Sequence, residues 1–313
     1  MRRILLLGKD GQLGWELQRS LAPLGEVVAL GRRGATASCA PSGLHFRDYP
    51  RCGDLTQTAE LEDVVLRLKP HFIVNAAAYT AVDKAESEPE LARAVNAEGP
   101  AVLAKAGAET GAWIIHFSTD YVFDGSGVNA WREEDQPAPL SVYGQTKLEG
   151  EDRIRASGCR YLIFRTSWVY AARGANFART ILRLASERDT LNVVDDQIGA
   201  PTGADLLADI AAHALCEVER RADLGGTYHA AASGETSWFG YAHFLIESAR
   251  ARGWAIKAPT ERITPVPSSA FPSTARRPLN SRLDCSKLER AFGLRMPQWR
   301  FGVDRLIDEL RPA

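Results

Sequence analysis

Along the first 170 residues, short runs that are apolar at nearly every position alternate with longer stretches whose apolar residues recur every three or four. "RILLLG", "EVVAL", "FIVNAAA", "AWIIHFST" and "YLIFRTSWVY" are of the first kind; "LGWELQRSLAPLG", "LEDVVLRLKP" and "ELARAVNAEGPAVLAKAGAETG" are of the second. A strand apolar on both faces belongs to a parallel sheet covered on both sides, and amphipathic helices between the strands supply the cover. The rhythm therefore predicts an α/β fold built on a doubly wound parallel sheet. Residues 34 to 53, rich in glycine, proline and small side chains, read as an irregular loop before the third strand.

Beyond residue 170 the alternation weakens. Helical "NFARTILRLASER", a strand "LNVVDD", a helix "GADLLADIAAHALCEVERR", a strand "GTYHAAA" and a helix "WFGYAHFLIESARARG" precede the proline-rich "TPVPSSAFPSTARRP" and a short helical end. Residues 1–170 are expected to form the sheet domain, which also receives about 193–232, and the rest of 171–313 forms a smaller, discontinuous C-terminal substrate-binding lobe.

Charge changes the picture by exclusion. Thirty-eight basic against thirty-nine acidic residues leave a formal charge of -1, so nothing draws the chain to nucleic acid or to an anionic membrane. No apolar run approaches the roughly 18 residues of a membrane helix, and "MRRILLLG" reads as a buried strand rather than a leader. Cys39, Cys52, Cys159, Cys216 and Cys285 are scattered, without a C-x-x-C pair, which argues against a disulfide framework or a thiolate zinc site and fits a reducing cytoplasm.

Candidate chemistry sits at the strand ends. Gly8, Gly11 and Gly14, between the first strand and first helix, let backbone approach a pyrophosphate at a helix N-terminus, which makes the domain a Rossmann-type dinucleotide binder. Gly31, Arg32 and Arg33 close the second strand with basic rather than acidic groups, suited to a 2'-phosphate and hence to NADPH before NADH. Asp54 would either meet the adenine or cap a turn, and Ala76, Ala77 and Ala78 leave room for a ribose or for a packed helix.

"HFSTDYVFDG" sets Thr119 at a strand end, where its hydroxyl can hold a carbonyl oxygen; Asp120 reads as a turn cap and His116 as a packed core histidine. In "SVYGQTKLEGE", Tyr143 and Lys147 stand four residues apart on one helix face, so an ammonium could lower the tyrosine pKa and tune a proton donor.

Glycines, strand-end hydroxyl and Y-x-x-x-K, in this order over some 150 residues, resemble the extended short-chain dehydrogenase/reductases. More narrowly, "GQLGWELQ", "VNAAAYTAVDKAESEPE", "YGQTKLEGE", "FRTSWVYA", "DDQIGAPTGADLLADI" and "RRPLNSRLD" are similar to the dTDP-4-dehydrorhamnose reductase family along nearly the whole chain. That resemblance implies reduction of the C4 ketone of dTDP-4-dehydro-β-L-rhamnose to dTDP-L-rhamnose, with Thr119, Tyr143 and Lys147 catalytic. It sets Gln12, Leu13, Leu55 and Tyr79 beside the glycines, Arg32, Asp54 and the alanines at the cofactor, with Lys147 on the nicotinamide ribose. Val82, Asp120, Tyr121 and Trp168 would line the sugar pocket, and Arg276, Arg277 and Arg282 would meet the diphosphate.

Some relatives of that kind bind Mg2+ at a homodimer interface; Glu16 and Asp205 correspond, but Asp205 is the shorter carboxylate, so Mg2+ and the dimer are not expected firmly. Rival readings are a nucleotide-sugar epimerase or dehydratase, or a non-catalytic NADP-binding regulator like the methionine adenosyltransferase β subunit. "STDY" lacks the glutamate a dehydratase needs after its aspartate, and "LGRR" lacks the acid an NAD-retaining epimerase favours.

Overall fold

The computed structural model describes residues 1–32, 34–37 and 53–310. Its first half runs β1 Arg3–Leu7, α1 Gln12–Leu21, β2 Glu26–Gly31, β3 Gly34–Ala37, α2 Thr58–Leu68, β4 Phe72–Asn75, the short α3 Val82–Ala85 and α4 Pro89–Arg93, α5 Gly99–Thr110, β5 Trp113–Thr119, α6 Val142–Ala156 and β6 Arg160–Thr166. The second runs β7 Val169–Tyr170, α7 Phe177–Glu187, β8 Leu191–Val194, β9 Ile198–Gly199, β10 Thr202–Gly203, α8 Ala204–Arg220, β11 Gly226–His229, β12 Thr236–Ser237, α9 Trp238–Ala251, β13 Ile263–Val266, α10 Ser286–Phe292 and α11 Trp299–Glu309.

Seven strands form one sheet in the order β11, β6, β5, β4, β1, β2, β3. Six run parallel; β3 pairs antiparallel with β2 and forms an edge. The expected loop at 34–53 thus opens with a strand, because four small residues pair with β2 along its free edge, while residues 38–52 lie outside the described ones.

Side-chain alternation divides the sheet's cover. Ile4 and Leu6 enter one core with Leu17 and Leu21 of α1 and Leu207 and Ala211 of α8, whereas Leu5 and Leu7 enter the opposite core with α2 and α5. Each such fully buried leucine contributes about 1.5–3 kcal/mol. A third core gathers α7, α9 and α11 around Tyr241 and Trp299, both buried. The segment read as one strand, "YLIFRTSWVY", is broken in two: Trp168 adopts φ 50, a left-handed conformation that ends β6 and turns the chain into β7.

Among the described residues no helix is long and apolar enough to cross a membrane. Cys159, Cys216 and Cys285 are free thiols; Cys39 and Cys52 fall outside the described residues.

Candidate active site

The glycine turn after β1 is as tight as its sequence suggests. Gly8 has φ 86, and a Cβ there would lie 2.7 Å from Ala77 N; one on Gly14 would lie 2.0 Å from Gly8 O. Gly11 caps α1 without any side-chain hydrogen bond, so the first N–H groups of this ten-residue helix face outward beside backbone stripped of side chains. This cradle suits a pyrophosphate. Gln12 Oε1 accepts from Asn176 Nδ2 at 2.8 Å, tying the turn to the chain after β7, and Leu13 packs against the first core.

Gly53 N donates to Gly31 O at 3.0 Å, which brings the Asp54–Leu55 turn beside the end of β2. Arg32 is exposed there, while Arg33 lies outside the described residues. Lys9 approaches the same strand end, since a Cβ on Gly31 would lie 3.4 Å from its Cε, and it pairs with Asp10 at 3.0 Å. Asp54 Oδ1 accepts from Thr56 N and Oγ1 at 3.0 and 2.9 Å, the geometry of a turn cap. Leu55 is buried. Ala76, Ala77 and Ala78 follow β4 half-buried, and Tyr79 N donates to Asn96 Oδ1 at 2.8 Å while its hydroxyl donates to Glu88.

Next to this cradle, α6 begins at Ser141, whose hydroxyl accepts from Gly144 N at 3.2 Å. Its first turn holds Tyr143, edge-on to Tyr121 at 5.4 Å. Lys147, 1% exposed, lies one turn further, with Nζ 2.6 Å from Phe117 O and 3.1 Å from His116 Nε2. Burial lowers the lysine to about 8, against which the charge of Glu151 raises it.

The expected lowering of Tyr143 is not what the structure gives. Burial pushes its phenol up to about 12, hydrogen bonding with Thr119 pulls the other way, and the charge of Asp120 adds to the rise. A phenol so held keeps its proton at neutral pH, the state a donor needs before an alkoxide forms.

Asp120 is also corrected. Thr119, not Asp120, caps the following turn, its Oγ1 accepting from Tyr121 N at 3.2 Å, and the same hydroxyl donates to Asp120 Oδ1 at 3.1 Å. The Asp120 carboxyl is buried, accepts from Ser281 Oγ, and is pushed up by burial to about 6. Residues 275–284 thereby reach the strand end: Ala275 N and Arg277 Nη2 donate to Asp83, beside Val82, at 3.2 and 2.7 Å. Arg276 is exposed, and Arg282 is held by Glu235 at 2.6 Å and by Asn280 at 3.1 Å.

Trp168 follows the end of β6. Its indole stacks on Trp238 with centroids 3.5 Å apart, and Gly199 leaves it space, since a Cβ there would lie 2.8 Å away. Trp238 Nε1 donates to Gln197 Oε1 at 3.0 Å. At the end of β6, just before Trp168, the buried hydroxyls of Thr166 and Ser167 find no partner among the described residues, which leaves polar capacity for a cofactor or substrate group.

Glu16 and Asp205 each face an arginine. Glu16 pairs with Arg19 and Asp205 with Arg305, each at 3.2 Å, and no group of three or more metal-ligating side chains occurs among the described residues.

Sequence reading singled out Thr119, Tyr143, Lys147, Val82 and Trp168, but missed Asn75, Asn96, Trp238 and Ser281 and set His116 aside. His116 had one usable signal: residues 114, 116 and 118 share a strand face, and that face is the one α6 covers. The others come from remote segments and carry no local pattern.

Nearly the whole chain is similar in sequence to proteins named dTDP-4-dehydrorhamnose reductase. Residues 1–311 match the family model described as RmlD substrate binding domain. The dTDP-4-dehydrorhamnose reductase of Escherichia coli K12 is 50% identical over 98% of this chain and 97% of its own, and that of Burkholderia thailandensis 44% over 98% and 99%. A dTDP-4-dehydrorhamnose reductase from Bacillus anthracis, solved in complex with NADP, superposes with TM-score 0.85 at 33% identity, covering 99% of this chain and 100% of that one.

Proposed function

The chain belongs to the RmlD substrate binding domain family, and from that premise we infer that it is an oxidoreductase: a dTDP-4-dehydrorhamnose reductase that reduces the C4 ketone of dTDP-4-dehydro-β-L-rhamnose with NADPH, giving dTDP-L-rhamnose. The observation that carries this is likeness end to end with reductases of that name, joined to a strand-end hydroxyl, tyrosine and lysine gathered beside an open glycine cradle. The same likeness favours the reductase over an epimerase or a non-catalytic regulator.

The nicotinamide supplies hydride to the ketone carbon. Gly8, Gly11, Gly14, Gln12 and Leu13 would bind its diphosphate at the α1 N-terminus, with Ala76, Ala77, Ala78 and Tyr79 alongside. Arg32 with Lys9 would take the 2'-phosphate and prefer NADPH to NADH, and Asp54 and Leu55 would border the adenine. Thr119 and Tyr143 would grip the ketone oxygen; as hydride arrives, the Tyr143 O–H bond breaks and the proton becomes the new hydroxyl's. Lys147 would hold the nicotinamide ribose.

The sugar would lie between Val82, Tyr121 and the Trp168 indole, with Asp120 behind Thr119. Residues 1–170 with about 193–232 would bind cofactor and the remainder of 171–313 substrate, a division supported by the separate core around Tyr241. The arginine pairings of Glu16 and Asp205 speak against Mg2+ between them.

The test is absorbance of NADPH with dTDP-4-dehydrorhamnose, repeated with NADH and with Tyr143→Phe. Turnover with NADPH that collapses in the variant supports the reading. Wild-type protein that binds NADPH yet turns nothing over would remove it and restore the regulator.

A further inference from the structure

From the end of β4 across β5 to α6 runs a line of polar groups with backbone at both ends. Ala77 N donates to Asn75 Oδ1 at 3.2 Å, Asn75 Nδ2 lies 3.1 Å from His116 Nδ1, His116 Nε2 lies 3.1 Å from Lys147 Nζ, and Nζ donates to Phe117 O at 2.6 Å. Asn75 and His116 are fully buried and Lys147 is 1% exposed, so water does not complete the set.

A backbone N–H only donates and a carbonyl only accepts, which sets the direction of the whole line. Ala77 claims the oxygen of the Asn75 amide, so the amide nitrogen faces His116 Nδ1 and donates to it. A neutral imidazole that accepts at Nδ1 carries its proton on Nε2. That proton points at Lys147. With an amine at Lys147, Nε2–H donates to the nitrogen lone pair and one Nζ–H donates to Phe117 O, so each contact of the line pairs a donor with an acceptor, and one N–H on Nζ and the second on Asn75 Nδ2 remain. With an ammonium, two donors meet head to head.

We propose that Asn75 and His116 are positioning residues for Lys147: Asn75 holds His116 as the Nε2–H tautomer, and the N–H so aimed at Nζ sets where in pH the lysine gives up its proton. In the reductase reading, on which this rests, Lys147 is then a hydrogen-bonding group poised between amine and ammonium rather than a permanent charge. The surroundings agree. Glu151, one turn along α6, faces Lys147 but is bound to Arg165 and Arg155; Tyr143 lies one turn before it, with Asp120 beyond. His116 is held well below its ordinary range by burial and by Lys147, so the imidazolium does not form.

The test is spectroscopic and uses the full chain without turnover. With 15N-histidine, long-range 1H–15N correlations distinguish the two neutral tautomers, His116 being the signal lost in His116→Gln. With 13Cε-lysine, the Lys147 titration is the one lost in Lys147→Met. Wild type should show the Nε2–H tautomer across pH 6–9. Asn75→Asp, whose second oxygen accepts from Nδ1–H, should reverse the tautomer, and uncharged His116→Gln, whose amide oxygen accepts from Nζ, should shift the lysine titration upward by about tenfold in acid constant, one pH unit.

An Nδ1–H tautomer in wild type overturns the proposal, as does a lysine titration that moves in Asn75→Asp but not in His116→Gln, which charge alone would explain. Because the spectra need no substrate, Nε2–H in a protein that turns nothing over would sink only the reductase reading.

Discussion

Two cations are buried on the same side of the sheet, under α6, and they are treated in opposite ways. Arg165, at the end of β6, is bound through Nε and Nη2 to the fully buried Glu151 at 3.0 and 2.7 Å and lies over the Phe123 ring. Although burial opposes it, hydrogen bonding and charge from Arg165 keep the Glu151 carboxyl below its usual range. Lys147, one turn before Glu151, has as its hydrogen-bonding partners among the described residues a carbonyl and an imidazole. A compensated charge is committed to one state and serves as scaffold; an uncompensated one can change state, and it lies where the proposed chemistry is.

The largest effect expected from breaking this contrast falls on the chemical side. Tyr143→Phe removes the proposed proton donor and should lower kcat roughly 10²- to 10⁴-fold, while the thermal midpoint, read by calorimetry, stays close to wild type because the ring is kept and a single hydroxyl is lost. A comparable fall in stability would mean that Tyr143 is scaffold. On the compensated side, Glu151→Ala strands the Arg165 charge and should cost about 3–5 kcal/mol in denaturant unfolding. Adding Arg165→Met to Glu151→Leu should return most of that, since a buried pair is replaced at little cost by apolar groups.

Lys147 predicts a pH dependence of its own. Its proton leaves at about 8 in the folded chain against 10.5 when unconstrained, so between these values the unfolded chain holds a proton the folded one lacks. Stability therefore rises with pH across that window, and the penalty is fully present below it. The wild type minus Lys147→Met difference, which cancels the raised Tyr143, Cys159 and Cys285, should climb by on the order of 3 kcal/mol from pH 8 to 10.5. A flat difference would mean that Lys147 is compensated after all.

What sequence made legible follows from how far apart the partners are. Strand and helix order was readable because periodicity is local, and Tyr143 with Lys147 because four residues is one helical turn. The His116 contact spans 31 residues and the Asn75 to His116 contact 41, so no window contained them. Asp120 misled because Thr and Asp are both good caps and stand side by side; the structure gives the cap to Thr119. The break at Trp168 was hidden because aromatic residues favour strands, and its partners lie far along the chain: the stacked Trp238 is 70 residues on, and Thr202 N, which donates to its carbonyl, 34.

That stack extends the comparison to the substrate side. Trp168 is held by packing and by one backbone hydrogen bond: Trp238 covers one face, Gly199 leaves room at the edge, the Trp168 carbonyl accepts from Thr202 N at 3.2 Å, and Trp238 is itself aligned by Gln197 and Phe177. A non-glycine residue at positive φ costs of order 1–3 kcal/mol unless its surroundings determine it. Trp238→Ala removes part of that support, so in the proposed function Trp168 should relax from the wall of the sugar pocket and weaken binding of the sugar nucleotide while leaving the glycine backbone of the cradle in place. The expected result is a rise in KM for the sugar nucleotide of roughly tenfold, about 1.4 kcal/mol, with the Kd for NADPH unchanged and kcat nearly so. Trp238→Phe, which keeps a ring to stack on, should recover most of it. Should Kd for NADPH rise equally, Trp238 would be a support of the whole fold and not of the wall.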